Sequence, residues 1–529
     1  MRWGLDAWRW SMVDNNTNTI SIPIYNNPWF DNGLITFYNL LKSIDEDIDI
    51  NLKMTSEQIS FDINDKQEFL DQLLVEIKNV QNELIVDGED DEGVDKEIKK
   101  DFLILQEGKK IEGKVRFKER FYDNEKREGF ISDLIDILNK KNGKRNCIVC
   151  SRQYNVKGEK VKRYLKLKQS INPLSTKIKS LSGVRSYKNE RFLKFSKTYH
   201  DNLCPICYIA GVLNWANRSI IYRTFISDGY SYVLLPNMND LTSLKEFRDS
   251  YYNLLNSENR YSNIKVKPDK NDTENTSGKF STLLCFYEKF LFKTGIKPTC
   301  TDWEIMKVPL GNVKNVTTTH VSVNEGLLQI LKTLFVEEKT QIYKKFIDNI
   351  TFFKDSSSEE GQNADWDITN NLKENLSRYL LEENFDNFSR TLLPKHGGYI
   401  GYSSEAKETL EKLLKEWRLK KMSLKMEDLE YVKKVGNIIA KTSGSAPTLL
   451  YKIDKARNFG DLLDALRQVS RKMAGLEKEE IKGKISPGAL DDLISILKSN
   501  EENWKEIRNM LVIYSSMYYS IGKFKDRGE

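Results

Sequence analysis

Histidine is scarce in this chain, with three in 529 residues, and no two of them stand at a zinc-protease spacing. No Gly-x-Ser-x-Gly elbow is present, and no pair of carboxylates is set apart by its surroundings. EGKKIEGKV (107–115) carries Gly108, Gly113 and Lys114 at a phosphate-loop spacing, but Val115 stands where magnesium binding needs Ser or Thr. These absences remove the common hydrolytic and nucleotide-splitting chemistries and favour a binding protein over an enzyme. Cysteine is sparse too: six residues are too few for a disulfide scaffold at this length. No run of eighteen apolar residues occurs, so no membrane-spanning helix is expected. The first residues, MRWGLDAWRW, lack the apolar stretch of a secretory signal, and a cytoplasmic protein with no membrane partner is expected.

What is abundant is charge. Charged residues make up 30% of the chain and apolar residues 39%, an ordinary soluble composition with room for two or three domains. The net charge of +6 is unevenly spread. Residues 141–230 hold 19 Lys and Arg against 4 Asp and Glu, a local excess of +15 that leaves −9 for everything else. A concentrated positive field attracts nucleic acid or acidic surfaces, and a merely solvated face does not require such concentration.

Periodicity sets out the architecture. ISIPIY (20–25) alternates as a strand does, NNPWFDNG (26–33) is dense in turn residues, and LITFYNLLKSI (34–44) reads as a helix. Residues 65–85 carry a second amphipathic helix through Phe69, Leu73, Ile77 and Val80, and DGEDDEGVDKE (87–97) reads as an acidic loop. YSYVLLP (230–236) is a strand, whereas FSTLLCFYEKFLF (280–292) fits either a buried helix or a strand. SSSEEGQNAD (356–365) and PKHGGYIGYSS (394–404) read as loops. From residue 405 the pattern is helical: Leu410, Leu413, Leu414 and Trp417 form one stripe, and Leu462, Leu466, Val469 and Met473 another. Ser486 and Pro487 stand as cap and first-turn residues ahead of Leu490, Leu493, Ile494 and Leu497, and Trp504, Ile507 and Leu511 open a last helix. The fold class expected is α+β: a mixed N-terminal part over 1–404, with a basic insertion at about 147–207, then a C-terminal helical bundle over 405–529.

CIVCS (147–151) and CPICY (204–208) supply two Cys-x-x-Cys pairs. Such a turn points both sulfurs at one ion, and two turns complete a tetrahedron, so Cys147, Cys150, Cys204 and Cys207 are read as ligands of a structural Zn2+. The pairs lie much farther apart than the 15–20 residues of common zinc ribbons, and redox use or plain buried cysteine stays open. Cys285 and Cys300 lack a partner at that spacing and read as core residues, and His200, His320 and His396 read as structural. Between the pairs, residues 151–203 hold 14 Lys and Arg against 3 Asp and Glu. Tyr154, Tyr164, Tyr187, Phe192, Phe195 and Tyr199 are interleaved with that charge. Cations release counterions from phosphates and rings stack on unpaired bases. The nucleic-acid-binding candidates are Lys157, Lys162, Arg163, Lys166, Lys168, Lys177, Lys179, Arg185, Lys188, Arg191, Lys194 and Lys197. Several of the rings also suit a small local core. Asn26 and Asn27 offer amides to a base edge or cap a turn, and the turn is favoured.

NPWFDNGLITFYNLL (27–41), the cysteine pairs at 147/150 and 204/207, and a helical C-terminal domain together resemble the CXXC–CXXC family of large subunits of type I-B CRISPR interference complexes (Cascade). The resemblance covers most of the chain in order and architecture, and its sharp residues lie in the first two features. It implies a non-catalytic subunit in antiviral defence, placed beside the end of a CRISPR guide RNA. Such a subunit recognises the protospacer-adjacent motif (PAM) in target double-stranded DNA, aids R-loop formation and recruits a helicase-nuclease. Its partners would be the backbone, guide-end-binding and small Cascade subunits. It also implies that the bundle is small-subunit-like, with Lys452, Lys455, Arg467, Arg471 and Lys472 guiding the displaced strand. Met422 and Met426 stand where an internal start for a separate small subunit would fall. Two rivals remain from the residues alone: a zinc-stabilised RNA-binding or RNA-processing protein, and a scaffold whose basic segment binds an acidic protein.

Overall fold

A computed structural model of the chain describes residues 19–84, 143, 145–147, 149–154, 204, 206, 207, 210, 211, 222–226, 230–258, 278–288, 300–309, 317–354, 364–395, 397–419, 426–444, 446–474 and 488–528. The chain divides into two compact units, residues 1–273 with 302–320, and residues 274–301 with 321–529. The boundary expected at 404/405 falls inside the second unit. The architecture is mixed helix and antiparallel sheet with a helical C-terminal region.

In the first unit, β1 (Thr19–Pro23) is the expected strand, with Ile20 and Ile22 buried in alternation. It pairs antiparallel with β3 (Gln58–Asp62), which also pairs with the short β2 (Lys53–Met54). The first helix, α1 (Pro28–Ile48), starts six residues before the helix read from the sequence. Asn27 is its N-cap and Pro28 its first residue, the arrangement in which a missing proline N–H costs nothing. Asn32, which looked like a turn residue, is buried in the helix because its Nδ2 finds two carbonyls, Pro28 O at 2.7 Å and Pro236 O at 3.0 Å. Helix α2 (Lys66–Leu84) follows as expected, with Phe69 and Leu73 buried. A small hairpin joins β4 (Arg145–Asn146) to β5 (Gln153–Tyr154). A four-stranded sheet runs in the order β6 (Tyr222–Ile226), β7 (Tyr230–Pro236), β8 (Asp302–Pro309) and β9 (Thr317–Ser322). The buried Arg248 of α3 (Leu241–Glu258) donates to Asn32 O and to Thr36 Oγ1, fastening α3 to α1.

The second unit opens with α4 (Lys279–Phe286), which resolves the ambiguous apolar run as a buried helix. It continues through α5 (Glu325–Glu338), α6 (Ile342–Asp348), β10 (Ile350–Lys354), α7 (Trp366–Leu381) and α8 (Phe385–Thr391). The segment 394–404, expected as a loop, contains β11 (Gly398–Tyr402), paired antiparallel with β10. Its glycines have a packing role instead: Gly398 and Gly401 lie under the Phe352 and Phe353 rings, where a Cβ would collide. After it come α9 (Ser404–Leu414), a π-helical turn at Lys415–Leu419, α10 (Met426–Ser443), α11 (Thr448–Asp454), α12 (Phe459–Ala474), α13 (Gly488–Ser499) and α14 (Trp504–Gly528). Both leucine-rich stripes point inward as expected, and Cys285 and Cys300 are core residues. Every residue of α14 from Ile507 to Met517 is buried, the pattern of a helix enclosed on all sides. It packs against α8, α10, α11 and β11. The bundle therefore shares its core with elements before residue 405.

Candidate metal centre

Each half of the cysteine site is shaped by its backbone. Cys147 and Cys150 sit in the turn of the β4–β5 hairpin, where Cys147 N donates to Arg152 O at 2.9 Å and Ser151 N donates to Cys147 O at 2.8 Å. Closing so tight a turn puts Ser151 in the left-handed region at φ 57°, an uncommon position for a residue with a side chain. Cys204 precedes a helical segment in which Ile206, Cys207, Ala210 and Gly211 are helical and buried. The helix start turns Cys207 toward the same point as Cys204.

All four Sγ atoms lie within 4.8 Å of one another, and all four residues are buried. Cys150 Sγ and Cys204 Sγ are 3.7 Å apart. Four sulfurs at about 2.3 Å from a tetrahedral ion stand about 3.8 Å from each other, whereas a disulfide needs about 2.05 Å. The donor set and its spacing therefore fit a tetrahedral divalent metal and not a pair of disulfides. Such an ion would be held by all four thiolates with no position left open for water, a structural coordination.

The electrostatics point the same way. Burial pushes the Cys204 and Cys207 thiols well above their ordinary range, and Cys147 and Cys150 push both further. Burial acts to raise Cys147 as well, but bonds from the other three thiols hold it well below that range. One thiol gives up its proton readily and its neighbours then resist, because negative charge accumulates in one small volume. A divalent cation removes that conflict and deprotonates its thiol ligands.

Two further groups touch the site, and the sequence reading did not single out either. Tyr25 Oη lies 3.2 Å from Cys207 Sγ, within reach for the phenol to donate once the sulfur is a thiolate. Burial pushes the Tyr25 phenol well up, with Cys207 and Cys150 adding to it, so it stays protonated. Arg152 is half-buried, and its Nη2 donates to Ser21 O at 2.6 Å. Burial acts to lower its guanidinium, but the sulfurs of Cys204 and Cys150 hold it above its ordinary value. Both residues lie in segments that the sequence reading assigned to other roles.

The remaining predicted residues fall as follows. Lys157, Lys162, Arg163, Lys166, Lys168, Lys177, Lys179, Arg185, Lys188, Arg191, Lys194 and Lys197 lie outside the described residues, as do Gly108, Gly113, Lys114, His200, His396, Met422, Ser486 and Pro487. Asn27 is committed to its helix: its Oδ1 accepts from Trp29 N at 3.0 Å and from Phe30 N at 3.4 Å. His320 is exposed beside Asp302 and Glu304, at 3.6 and 3.5 Å. Lys452, Lys455, Arg467, Arg471 and Lys472 are all exposed on α11, its C-cap and α12. Lys452 donates to Gln468 and Arg467 pairs with Asp464 at 2.7 Å. Lys455 lines a cleft of about 1100 Å3 with Arg390, Arg457, Trp504 and Arg508. Acids of the same cleft, Asp386 and Asp454, already pair with Arg390 and Arg508. Met426 is the first residue of α10. No helix among the described residues is long and apolar enough to cross a membrane. Comparison of the chain with models of known protein families and with curated proteins finds no match.

Proposed function

We propose that the four cysteines hold a structural zinc ion and that this centre anchors residues 151–203 as a nucleic-acid-facing segment. The observation that carries the reading is the meeting of the two cysteine pairs at tetrahedral spacing, at the two ends of a segment with 14 Lys and Arg against 3 Asp and Glu. A closed tetrathiolate site supplies no reactive position, so the chemistry of the protein lies in what it positions. In its finer form the reading is the one implied by the family resemblance. The chain is the non-catalytic large subunit of a type I-B-like Cascade that recognises the PAM, aids R-loop formation and leaves cleavage to a recruited helicase-nuclease.

Affinity purification from the native host tests this. Guide RNA and a multi-copy backbone subunit are expected to accompany the chain; neither appearing under gentle salt overturns the Cascade reading. Charge reversal at Lys166, Lys168, Arg191 and Lys194 is expected to weaken DNA binding. Each phosphate that is no longer neutralised flattens the salt dependence by about 0.9 in log–log slope. Unchanged binding retires the segment as a nucleic-acid surface. The internal start belongs to the same proposal. A product beginning at Met422 or Met426 would contain α10–α14 but lack α8 and β11, against which α14 packs, so it needs a partner surface to cover that helix. Absence of any short C-terminal product on expression of the intact gene counts against it.

A further inference from the structure

Arg152 stands two residues after the first cysteine pair and reads, in the sequence, as the first cation of the basic segment. Its position gives it a different task. Its backbone oxygen accepts from Cys147 N at 2.9 Å, its Nη2 donates to Ser21 O of β1 at 2.6 Å, and its guanidinium lies within electrostatic reach of the sulfurs of Cys204, Cys150 and Cys207. A guanidinium drawn partly out of water is stabilised by counter-charge. Four neutral thiols, or two disulfides, supply none. Four thiolates around a divalent ion carry a double negative charge, which is itself costly to bury and which one guanidinium halves.

Tyr25 approaches the centre from the other side. Its phenol meets Cys207, while its backbone N–H donates to Asp31 Oδ1 at 2.7 Å. The other oxygen of that carboxylate accepts from Asn27 N, also at 2.7 Å. Asp31 lies in the first turn of α1 and is buried. A single residue thus connects a ligand sulfur to the hydrogen bonds that shape the β1–α1 turn, and Arg152 connects the sulfurs to β1 itself.

We propose that Arg152 and Tyr25 are positioning residues of the metal centre: Arg152 balances the charge of a tetrathiolate–divalent metal unit, and with Tyr25 it ties metal occupancy to the order of β1 and the turn into α1. The inference rests on the reading of the four cysteines as a metal centre. It makes the centre a three-way junction in which the N-terminal strand and turn are held as firmly as the two cysteine pairs. It also sets the centre against redox use, since oxidation to disulfides would strand the guanidinium.

The test uses the full-length, zinc-loaded chain and two readouts: zinc transfer to a chromophoric chelator, and amide hydrogen exchange of peptides covering residues 19–31. Arg152→Gln keeps a donor for Ser21 O and deletes the charge, whereas Arg152→Lys keeps the charge. Arg152→Gln is expected to lose zinc roughly 10–100-fold more readily, the usual effect of removing an outer partner of a metal ligand, with Arg152→Lys close to wild type. In the wild type, removal of zinc is expected to speed exchange at 19–31 while peptides from α14 stay unchanged. Zinc retention by Arg152→Gln equal to wild type, or exchange at 19–31 indifferent to zinc, overturns the proposal. If Arg152→Gln does not fold, Tyr25→Phe carries the test, because it leaves every backbone hydrogen bond in place. Faster exchange at 19–31 in its zinc-loaded form supports the link, and exchange equal to wild type overturns it. A wild-type chain that takes up no zinc overturns the metal-centre reading itself, a result distinct from a loaded variant with unchanged retention.

Discussion

Glu288 offers a measurable consequence of how the second unit is built. Its carboxylate is buried and accepts from Tyr343 N at 2.7 Å and Lys344 N at 2.9 Å, capping α6 from 55 residues away in the chain. Burial pushes its pKa from the ordinary 4.5 up to about 7, against the two backbone donors and Lys344, which pull it down. The folded state therefore holds this proton more tightly than the unfolded chain. A group of that kind contributes stability that is fully present below pH 4.5 and lost as pH rises through about 7. At 1.36 kcal/mol per unit the whole effect is roughly 3 kcal/mol, of which about 2 kcal/mol is lost between pH 5.5 and pH 8.5.

Urea unfolding of wild type and Glu288→Gln, followed by far-UV circular dichroism at constant ionic strength from pH 5.5 to pH 8.5, isolates this contribution. The amide leaves one oxygen to serve two N–H donors, a loss of about 1 kcal/mol that places the variant below wild type at pH 5.5. It carries no buried charge, so the two stability curves are expected to cross, with the variant above wild type by pH 8.5. Asp31, also pushed to about 7 by burial, lowers the stability of the first unit over the same range. The assignment thus rests on the difference between the two proteins and not on the wild-type slope alone. Parallel curves would refute the reasoning, since the pH dependence would then arise elsewhere.

Three further outcomes follow from geometry. Asn27→Ala removes the cap of α1 and is expected to cost 0.5–2 kcal/mol in urea unfolding, by the usual range of about 1 kcal/mol per cap; no loss would mean that Asp31 alone holds the turn. Gly436→Ala gains about 1 kcal/mol on helix propensity but sets a Cβ 2.7 Å from Tyr514 Cβ; the collision between α10 and α14 costs about 1–3 kcal/mol, so a net loss of up to about 2 kcal/mol is expected. A stabilised variant would overturn that ordering. Cys147→Ser with Cys204→Ser is expected to abolish bound zinc and with it soluble expression, checked by elemental analysis of whatever is recovered; full solubility without metal would make the site dispensable for folding.

Much of the fold was legible because burial imposes a period. β7 occupies the seven residues read as a strand ending at Pro236, and the stripes at Leu410–Trp417 and Leu462–Met473 face inward as expected. What failed were segments whose meaning depends on a distant neighbour. NNPWFDNG reads as a turn until Pro236 O is available to satisfy Asn32, 204 residues away. GGYIGY reads as a loop until the Phe352 and Phe353 rings of β10 are seen to need the room that Gly398 and Gly401 leave. The carboxylates of Glu288 and Glu374 look like surface charge in the sequence, yet each caps a helix remote in the chain. In all of these the local residue preference is real, and an interaction that closes over a long stretch of chain outweighs it.

The cysteine site shows the same division. The four cysteines were legible because two Cys-x-x-Cys turns carry their own geometry; Arg152 and Tyr25 were not, because their partners are fixed only when the chain returns at Cys204. That return was the main objection to a metal, since the 53 residues between Cys150 and Cys204 far exceed an ordinary ribbon. Loop closure grows only as the logarithm of length, so lengthening a 15-residue loop to this size costs about 1 kcal/mol. Structural zinc sites supply roughly 10–16 kcal/mol in small peptides. The long spacing is therefore a minor charge against the centre. It leaves the composition of the intervening residues unconstrained by the site, and in this chain that composition is rich in lysine, arginine and aromatic rings.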